Sequence, residues 1–430
     1  MKRVIEAGYP IAFRTSEAEQ LGQHLSHHHS VVLIGMKRVG ISNFLRFFLN
    51  HEAIAEAYIR NGAKQIFVQV DLNDLIERNI SAFWTLLLTR GVDAVQYSSL
   101  PESTKRQCRK LFVQSIQLKD QFFTVESVRK VLDALVGGGL YPTLFFVRFD
   151  RLADTITPEF FSNLVGLRDA LKQKLSYVFT SYRPLPDLAP DVFKKSFLST
   201  FSFDMYLKPA ASTDMQIILE TLMAQYHTNL DKKTQRTLLH LAGGYVQYLQ
   251  LGVIRLREEK SIPKTEHDIV DLLWKDEQVV LQSEELFESL TKTEKEVLLS
   301  IKQGNDISEK QREAAKYLWN TGMVYDENKR THFFSVLFED YIGGLSMTRV
   351  NEKEFTKKEH LLFTFLKAHE NELCERESII EAVWSESRDL GVSDWAIDRL
   401  VARLRSKLKT QGSPYSIMTV VTRGYKLLRL

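Results

Sequence analysis

Apolar positions in the first 205 residues fall into two kinds of run. Short blocks of consecutive apolar side chains occupy Ser30 to Ile34, Gln65 to Val70, Thr143 to Phe149 and Leu175 to Thr180. They do not alternate with polar residues, which is the pattern of strands covered on both faces. Longer stretches with apolar residues at helical spacing lie between them. Strands alternating with helices predict an α/β domain built on a largely parallel sheet. From Pro209 to about Gln282 the period changes. Met215, Ile218, Leu219, Leu222 and Met223 recur at spacings of three and four, and Thr234 to Leu256 behaves likewise, so a helical domain is expected there.

Two later segments begin alike, Thr291-Lys-Thr-Glu294 and Thr356-Lys-Lys-Glu359, each running into an apolar stretch. A threonine with a glutamate three residues on predicts a capping box, in which each side chain satisfies the other's backbone N–H at the start of a helix. Two small domains of similar plan follow from the repeat. Each is near the lower size limit for independent stability, so support from neighbouring elements is expected.

Composition narrows the function classes. In 430 residues, 57 Lys and Arg face 54 Asp and Glu, which excludes a uniformly basic or an acidic, disordered chain. The two cysteines, Cys108 and Cys374, form neither a CxxC pair nor a disulfide framework, which fits a reducing compartment. The longest uncharged stretch, Thr237 to Ile254, contains His240, Gln247 and Gln250 and is too polar to span a bilayer. No export signal is read in Met1 to Phe13, so a cytoplasmic location without a membrane partner is expected. His24 and His27 to His29 cannot all face one ion on a single element, and no metal site is assigned. The cluster Lys105, Arg106, Arg109 and Lys110 reads as a solvated helix face. Cys108 within it would have a lowered pKa if exposed, which would suit redox chemistry. The many phenylalanines, among them Phe44, Phe47, Phe48, Phe122, Phe123, Phe160 and Phe161, read as core.

The near-neutral average hides one asymmetry. From Arg399 to Leu430 there are eight basic residues and no acid. On a helical wheel from Asp394 to Lys409, Ile397, Leu400, Val401, Leu404 and Leu408 form one stripe, while Trp395, Arg399, Arg403 and Ser406 face the other way. One face is built to be buried and the other offers guanidinium forks, the geometry of a helix that reads guanine edges or phosphates. Beyond it, Ile417 to Val421 and Tyr425 to Leu428 flank Thr422-Arg423-Gly424 as a basic-tipped hairpin.

Residues 353 to 430 resemble the winged helix-turn-helix effector domain of OmpR/PhoB-type response regulators. Four ordered segments carry the resemblance: Phe355-Thr-Lys-Lys-Glu359, Glu375 through Trp384, Ile397-Asp398 through Leu408, and Thr419 through Arg423-Gly-Tyr425. The resemblance implies double-stranded DNA as partner. It implies major-groove contacts from Arg399, Arg403 and Arg405 with Lys407 flanking, and wing contacts from Thr419 and Arg423. The family often has Arg where Val421 stands and Gly where Thr422 stands. No receiver domain with a phosphoacceptor carboxylate is seen.

The run Val31-Val-Leu-Ile-Gly35-Met-Lys-Arg-Val-Gly40-Ile41-Ser42-Asn43 has the layout of the phosphate loop GxxxxGK[ST], with Ile41 in the lysine position. Thr143 through Asp150-Arg151-Leu resembles the "DEFDRL" strand ending of AAA+ ATPases, with Val147 and Arg148 replacing the metal-holding and catalytic acids. Ala242-Gly243-Gly244-Tyr245 resembles their "GGxP" lid turn. Residues 10 to 345 are therefore similar to the nucleotide-binding, lid and winged-helix modules of STAND and origin-recognition-type ATPases. The expected fold is α/β plus α: a parallel-sheet P-loop NTPase-like domain at 1–205, a helical lid at 206–282, and winged helices at 283–345 and 352–430. Gly35, Lys37, Arg38, Gly40, Ser42 and Asn43 are the residues that would hold ATP or ADP without hydrolysis, if the loop binds nucleotide at all; no catalytic residue is assigned. The reading is a DNA-binding transcriptional regulator with a hinge at 343–354 that includes Gly343-Gly344, with a homo-oligomer and a protein signalling partner left open. Two alternatives stay open: an active signalling ATPase in which Lys37 or Arg38 replaces the missing lysine, and an adaptor whose winged helices bind protein.

Overall fold

The computed structural model describes residues 4–193, 201–259, 261–263, 265–328, 330–345, 355–384, 392–420 and 423–429. The chain divides into two compact units, one of residues 1–275 with 306–339 and the other of residues 276–305 with 340–430. The segment 283–345 is thus shared between them.

The first unit is built on a five-stranded sheet of β1 (Val31–Ile34), β2 (Gln65–Asp71), β3 (Tyr141–Val147), β4 (Ser176–Ser181) and β5 (Phe203–Tyr206). All pairings are parallel and the order is β2-β3-β4-β1-β5. The four apolar runs become β1 to β4 with ends shifted by one or two residues. The fifth strand was not legible. It lies at an edge with Phe203 and Asp204 exposed, so it shows no continuous apolar run. The inner strands β1 and β4 are buried along their whole length, as two-sided coverage requires. Phenylalanines fill the layer between sheet and helices, with Phe146 5.2 Å from both Phe83 and Phe179. Phe122 departs from the expectation of core, being 81% exposed at the start of the helix Gln121–Gly137.

The helical segment follows as Ser212–Gln225, Lys232–Ala242, Val246–Glu258 and Glu266–Trp274. Its glycine turn has a steric cause. Gly243 has φ 54°, and a Cβ there would lie 1.8 Å from the Phe334 carbonyl oxygen, so no other residue fits. A hairpin of β6 (Val324–Glu327) and β7 (Arg330–Phe333) completes this unit.

In the second unit, both expected capping boxes are formed, Thr291 with Glu294 and Thr356 with Glu359. They open the helices Lys292–Lys302 and Lys357–Ala368. The helices Arg376–Val383 and Asp394–Thr410 and a three-stranded antiparallel sheet, β8 (Cys374–Glu375), β10 (Gly424–Arg429) and β9 (Tyr415–Val420) in that order, enclose a separate core. Leu362, Leu366, Ile379, Ile397, Leu400, Val401, Leu404 and Leu427 are its fully buried members. Gly343 and Gly344 are the part of the expected hinge that falls within the described residues. They lie in the helix Val336–Leu345, where a Cβ on Gly343 would come within 2.9 Å of Lys302 Cε. The rest of the expected hinge, 346–354, lies outside the described residues.

Candidate nucleic-acid interface and phosphate loop

The basic helix Asp394–Thr410 starts at Ser393, whose hydroxyl accepts from the Ala396 N–H at 3.1 Å. Its apolar stripe is buried as the wheel requires, with Ile397, Leu400, Val401 and Leu404 fully covered and Leu408 nearly so. That fixes the helix's rotation and turns Arg399 and Arg403 away from the domain core. Both are engaged by Glu284 of the helix Glu277–Glu288. Arg399 donates to Glu284 Oε1 through Nε at 2.7 Å and lies 2.5 Å from it through Nη2, while Arg403 Nη2 donates to Oε2. Glu284 is only 7% exposed.

Other basic residues divide by role. Arg405 donates to the Ile417 carbonyl at 2.8 Å and to Thr419 Oγ1 at 2.7 Å, pinning the helix to the first wing strand. Lys407 lies 2.6 Å from Glu359, a carboxylate that is 1% exposed, so its ammonium neutralises an interior charge. Arg423 sits at the wing tip, 64% exposed and 3.9 Å from Glu375. Val421 and Thr422 lie outside the described residues. A further network was missed in the sequence. Arg376 Nη2 donates to Asp398 at 2.5 Å, and the Tyr425 hydroxyl donates to the same carboxylate. Burial, together with the hydrogen bond to Asp398, pushes the Tyr425 hydroxyl up to about 12. The partners lie 22 and 27 residues from Asp398, beyond any local pattern.

The loop between β1 and the helix Ile41–Asn50 turns on Gly40, at φ 112°, where a Cβ would meet Val246 Cγ2 at 2.9 Å. Met36 and Val39 are buried, and Val39 Cγ1 and Ile41 Cδ1 lie 2.8 and 3.2 Å from the Cβ position of Gly35. Lys37 lies 5.0 Å from the centre of the Tyr182 ring, and its carbonyl accepts from the Tyr245 hydroxyl at 2.6 Å. Arg38 takes a positive φ of 60°. Ser42 lies in the helix's first turn, and Asn43 donates to Glu6 at 3.2 Å, a carboxylate also held by Arg46 at 2.6 Å. A groove of about 380 Å³ between the turn Ile5–Gly8 and the helix Ser212–Gln225 is lined by Tyr9, Thr221 and Gln225.

At the end of β3, Arg148 pairs with Asp71 of β2, and its N–H donates to Thr180 Oγ1 at 2.7 Å. Asp150 has its carboxyl pushed up by burial against the opposing pull of a backbone hydrogen bond and of Lys37, Arg151 and Arg148. Cys108 is buried, and burial pushes its thiol up, which removes the basis for the expected redox role. Among the described residues, no group of three His, Cys, Asp or Glu is placed to hold a metal ion, and no helix is long and apolar enough to cross a membrane.

The fold and the basic helix define two classes in one chain. Residues 351–427 match the family model "Transcriptional regulatory protein, C terminal". Among solved structures, the chain is similar to a Walker-type ATPase of Pyrococcus abyssi, with 14% identity, a TM-score of 0.50, and coverage of 77% of this chain and 96% of that one. The ORC2 protein of Aeropyrum pernix, in ADPNP and ADP complexes, gives 14% identity, a TM-score of 0.44, and coverage of 81% and 99%. The Aeropyrum pernix ORC1 protein in complex with DNA gives 12%, 0.40, and coverage of 100% and 93%. A search of curated proteins found no match. The chain thus joins a Walker-type ATPase fold to an OmpR/PhoB-type winged helix at its C-terminal end.

Proposed function

We propose that the protein is a DNA-binding transcriptional regulator, working in the cytoplasm, in which an ATPase-like module without phosphoryl-transfer machinery controls a C-terminal winged-helix reader. The observation that carries this is the helix Asp394–Thr410 within the matched residues 351–427: five apolar residues seat it in the domain core and thereby turn Arg399 and Arg403 outward. Arg405 and Thr419 tie that helix to the wing, and Arg423 extends the basic surface to the wing tip. Phosphoryl transfer needs cations on the β and γ phosphates, a held magnesium and a positioned water. Ile41, Val147 and Arg148 stand at three positions where that chemistry calls for a lysine and two acids, and Arg148 is already neutralised by Asp71. The nucleotide-loop residues Gly35, Lys37, Arg38, Gly40, Ser42 and Asn43 are therefore assigned to binding or scaffolding and not to turnover. One winged helix reads few base pairs, so pairing of two copies on adjacent half-sites belongs to the same proposal.

The test is duplex binding by the full chain across a salt series. Neutralising four to five phosphates per reader predicts a log–log slope of about −4. Absence of binding to any duplex at low salt refutes the reading.

A further inference from the structure

We propose that the helix Glu277–Glu288 is a built-in latch that closes the reader, its Glu284 carboxylate occupying the Arg399 and Arg403 guanidinium groups in place of nucleic acid. The inference rests on the DNA-reading proposal above and adds how that same surface is regulated. A carboxylate and a phosphate offer an arginine fork the same pair of anionic oxygen acceptors. Each oxygen of Glu284 takes one of the two arginines, so a single side chain engages both. The latch helix lies outside residues 351–427, so it is an element added to the reader and not part of its own core.

Three observations argue against an incidental surface pair. Glu284 is nearly buried while Arg399 and Arg403 keep 42% and 26% exposure, so water screens the guanidinium side of the pair but the carboxylate itself is held inside the fold, unlike a pair exposed on both sides. Its helix has a second attachment: Glu277, two turns earlier on the same face, accepts from Thr356 Oγ1 at 2.7 Å and from the Lys358 N–H at 3.4 Å. Tyr341 stands against the same cluster, its hydroxyl pushed up by burial and by the charges of Glu284 and Glu288. Two attachments on one helix hold both the start of the first reader helix and the reading face of the third.

Closure and reading are mutually exclusive at these side chains. The apparent DNA affinity of the resting chain is then the intrinsic affinity multiplied by the fraction of chains whose latch is open. The latch helix follows the helix Glu266–Trp274 in sequence after only Lys275 and its own cap, Asp276.

The experiment measures anisotropy of a fluorescent, random-sequence duplex pool of about 40 bp, titrated at low salt with the full-length protein. Glu284→Gln keeps the side chain's shape and removes its charge, and is expected to tighten binding about tenfold. Glu296→Gln, an exposed carboxylate of the helix Lys292–Lys302 that faces only Lys292 at 3.9 Å among the ion pairs described, serves as control and is expected to leave affinity unchanged. Phenylglyoxal labelling read by mass spectrometry is expected to find Arg399 and Arg403 protected relative to Arg423 in the wild type and exposed in Glu284→Gln. Equal affinity and equal labelling of wild type and Glu284→Gln overturn the latch while leaving DNA reading intact. Failure of both proteins to bind overturns the reading and the latch with it. If Glu284→Gln loses hydrogen-exchange protection in Asp394–Thr410, Glu284→Asp replaces it, keeping the charge but shortening the reach, with tightening of about threefold expected and unchanged affinity refuting the latch.

Discussion

Replacing Lys407 by alanine separates two roles that its position on the basic helix leaves open. The sequence places it beside Arg403 and Arg405, the arginines proposed to contact DNA; its ammonium instead lies 2.6 Å from Glu359, whose side chain is 1% exposed and also closes the capping box at Thr356. Removing one partner of a buried pair costs about 3–5 kcal/mol, because the other charge is left without compensation. Two features reduce that figure here. Lys407 keeps 17% exposure, so water can enter, and Glu359 still accepts the Thr356 N–H at 2.8 Å. About 2–3 kcal/mol is expected, against at most about 1 kcal/mol for an exposed pair. The assay is hydrogen exchange by mass spectrometry on the full chain, followed in peptides of Lys357–Ala368. Protection there should fall by roughly 30- to 150-fold in Lys407→Ala, the same energy expressed as an opening constant. The double variant Glu359→Gln with Lys407→Met, which removes both charges, should recover most of it. The reasoning is refuted if Lys407→Ala leaves protection unchanged and instead lowers the salt slope of DNA binding by about one, the signature of a lost phosphate contact.

Arg423→Ala is expected to do the opposite, lowering the salt slope by about one with no change in reader stability, since Arg423 is 64% exposed and only distantly paired. Cys108 and Cys374 are both buried with thiols pushed up, so a thiol reagent such as DTNB should react with neither in the native protein at pH 8 and with both after denaturation; rapid native reaction at Cys108 would contradict the burial argument. The Tyr425 hydroxyl is raised from 10.0 to about 12, so its stabilising contribution is complete below pH 10 and is lost as pH climbs towards 12. Tyr425→Phe lacks this component, and between those pH values its reader should lose stability less steeply than the wild type's, as measured by denaturant titration at each pH.

What could be read in the sequence was local. Each capping box is written within four residues, Thr291 to Glu294 and Thr356 to Glu359, and the buried stripe from Ile397 to Leu408 within four turns; in both cases helix geometry converts spacing directly into contact. The four strands β1 to β4 were legible because burial on both faces demands continuous apolar runs. β5 carries that demand at only one of its first three positions. The helical state of Gly343-Gly344, read in the sequence as part of a hinge, was not legible for a related reason. Paired glycines raise the cost of a helix by about 1 kcal/mol each but do not forbid one, and both stand within the helix Val336–Leu345.

Charge pairing gives no such local signal. Glu284 meets Arg399 and Arg403 across 115 and 119 residues, and nothing in its spacing from Glu285 and Glu288 specifies which of 57 basic residues it will face. The acid-free stretch from Arg399 onward therefore reads as a uniform cationic surface when it is not one. Two of its arginines hold Glu284, Arg405 holds the wing and Lys407 holds Glu359, while Arg423 is mostly open. The basic residues counted in a sequence bound the electrostatic footprint on DNA from above. The counterions released on binding measure how many of those side chains have exchanged an internal acceptor for a phosphate, which makes the salt slope a measure of the latch as well as of the contact.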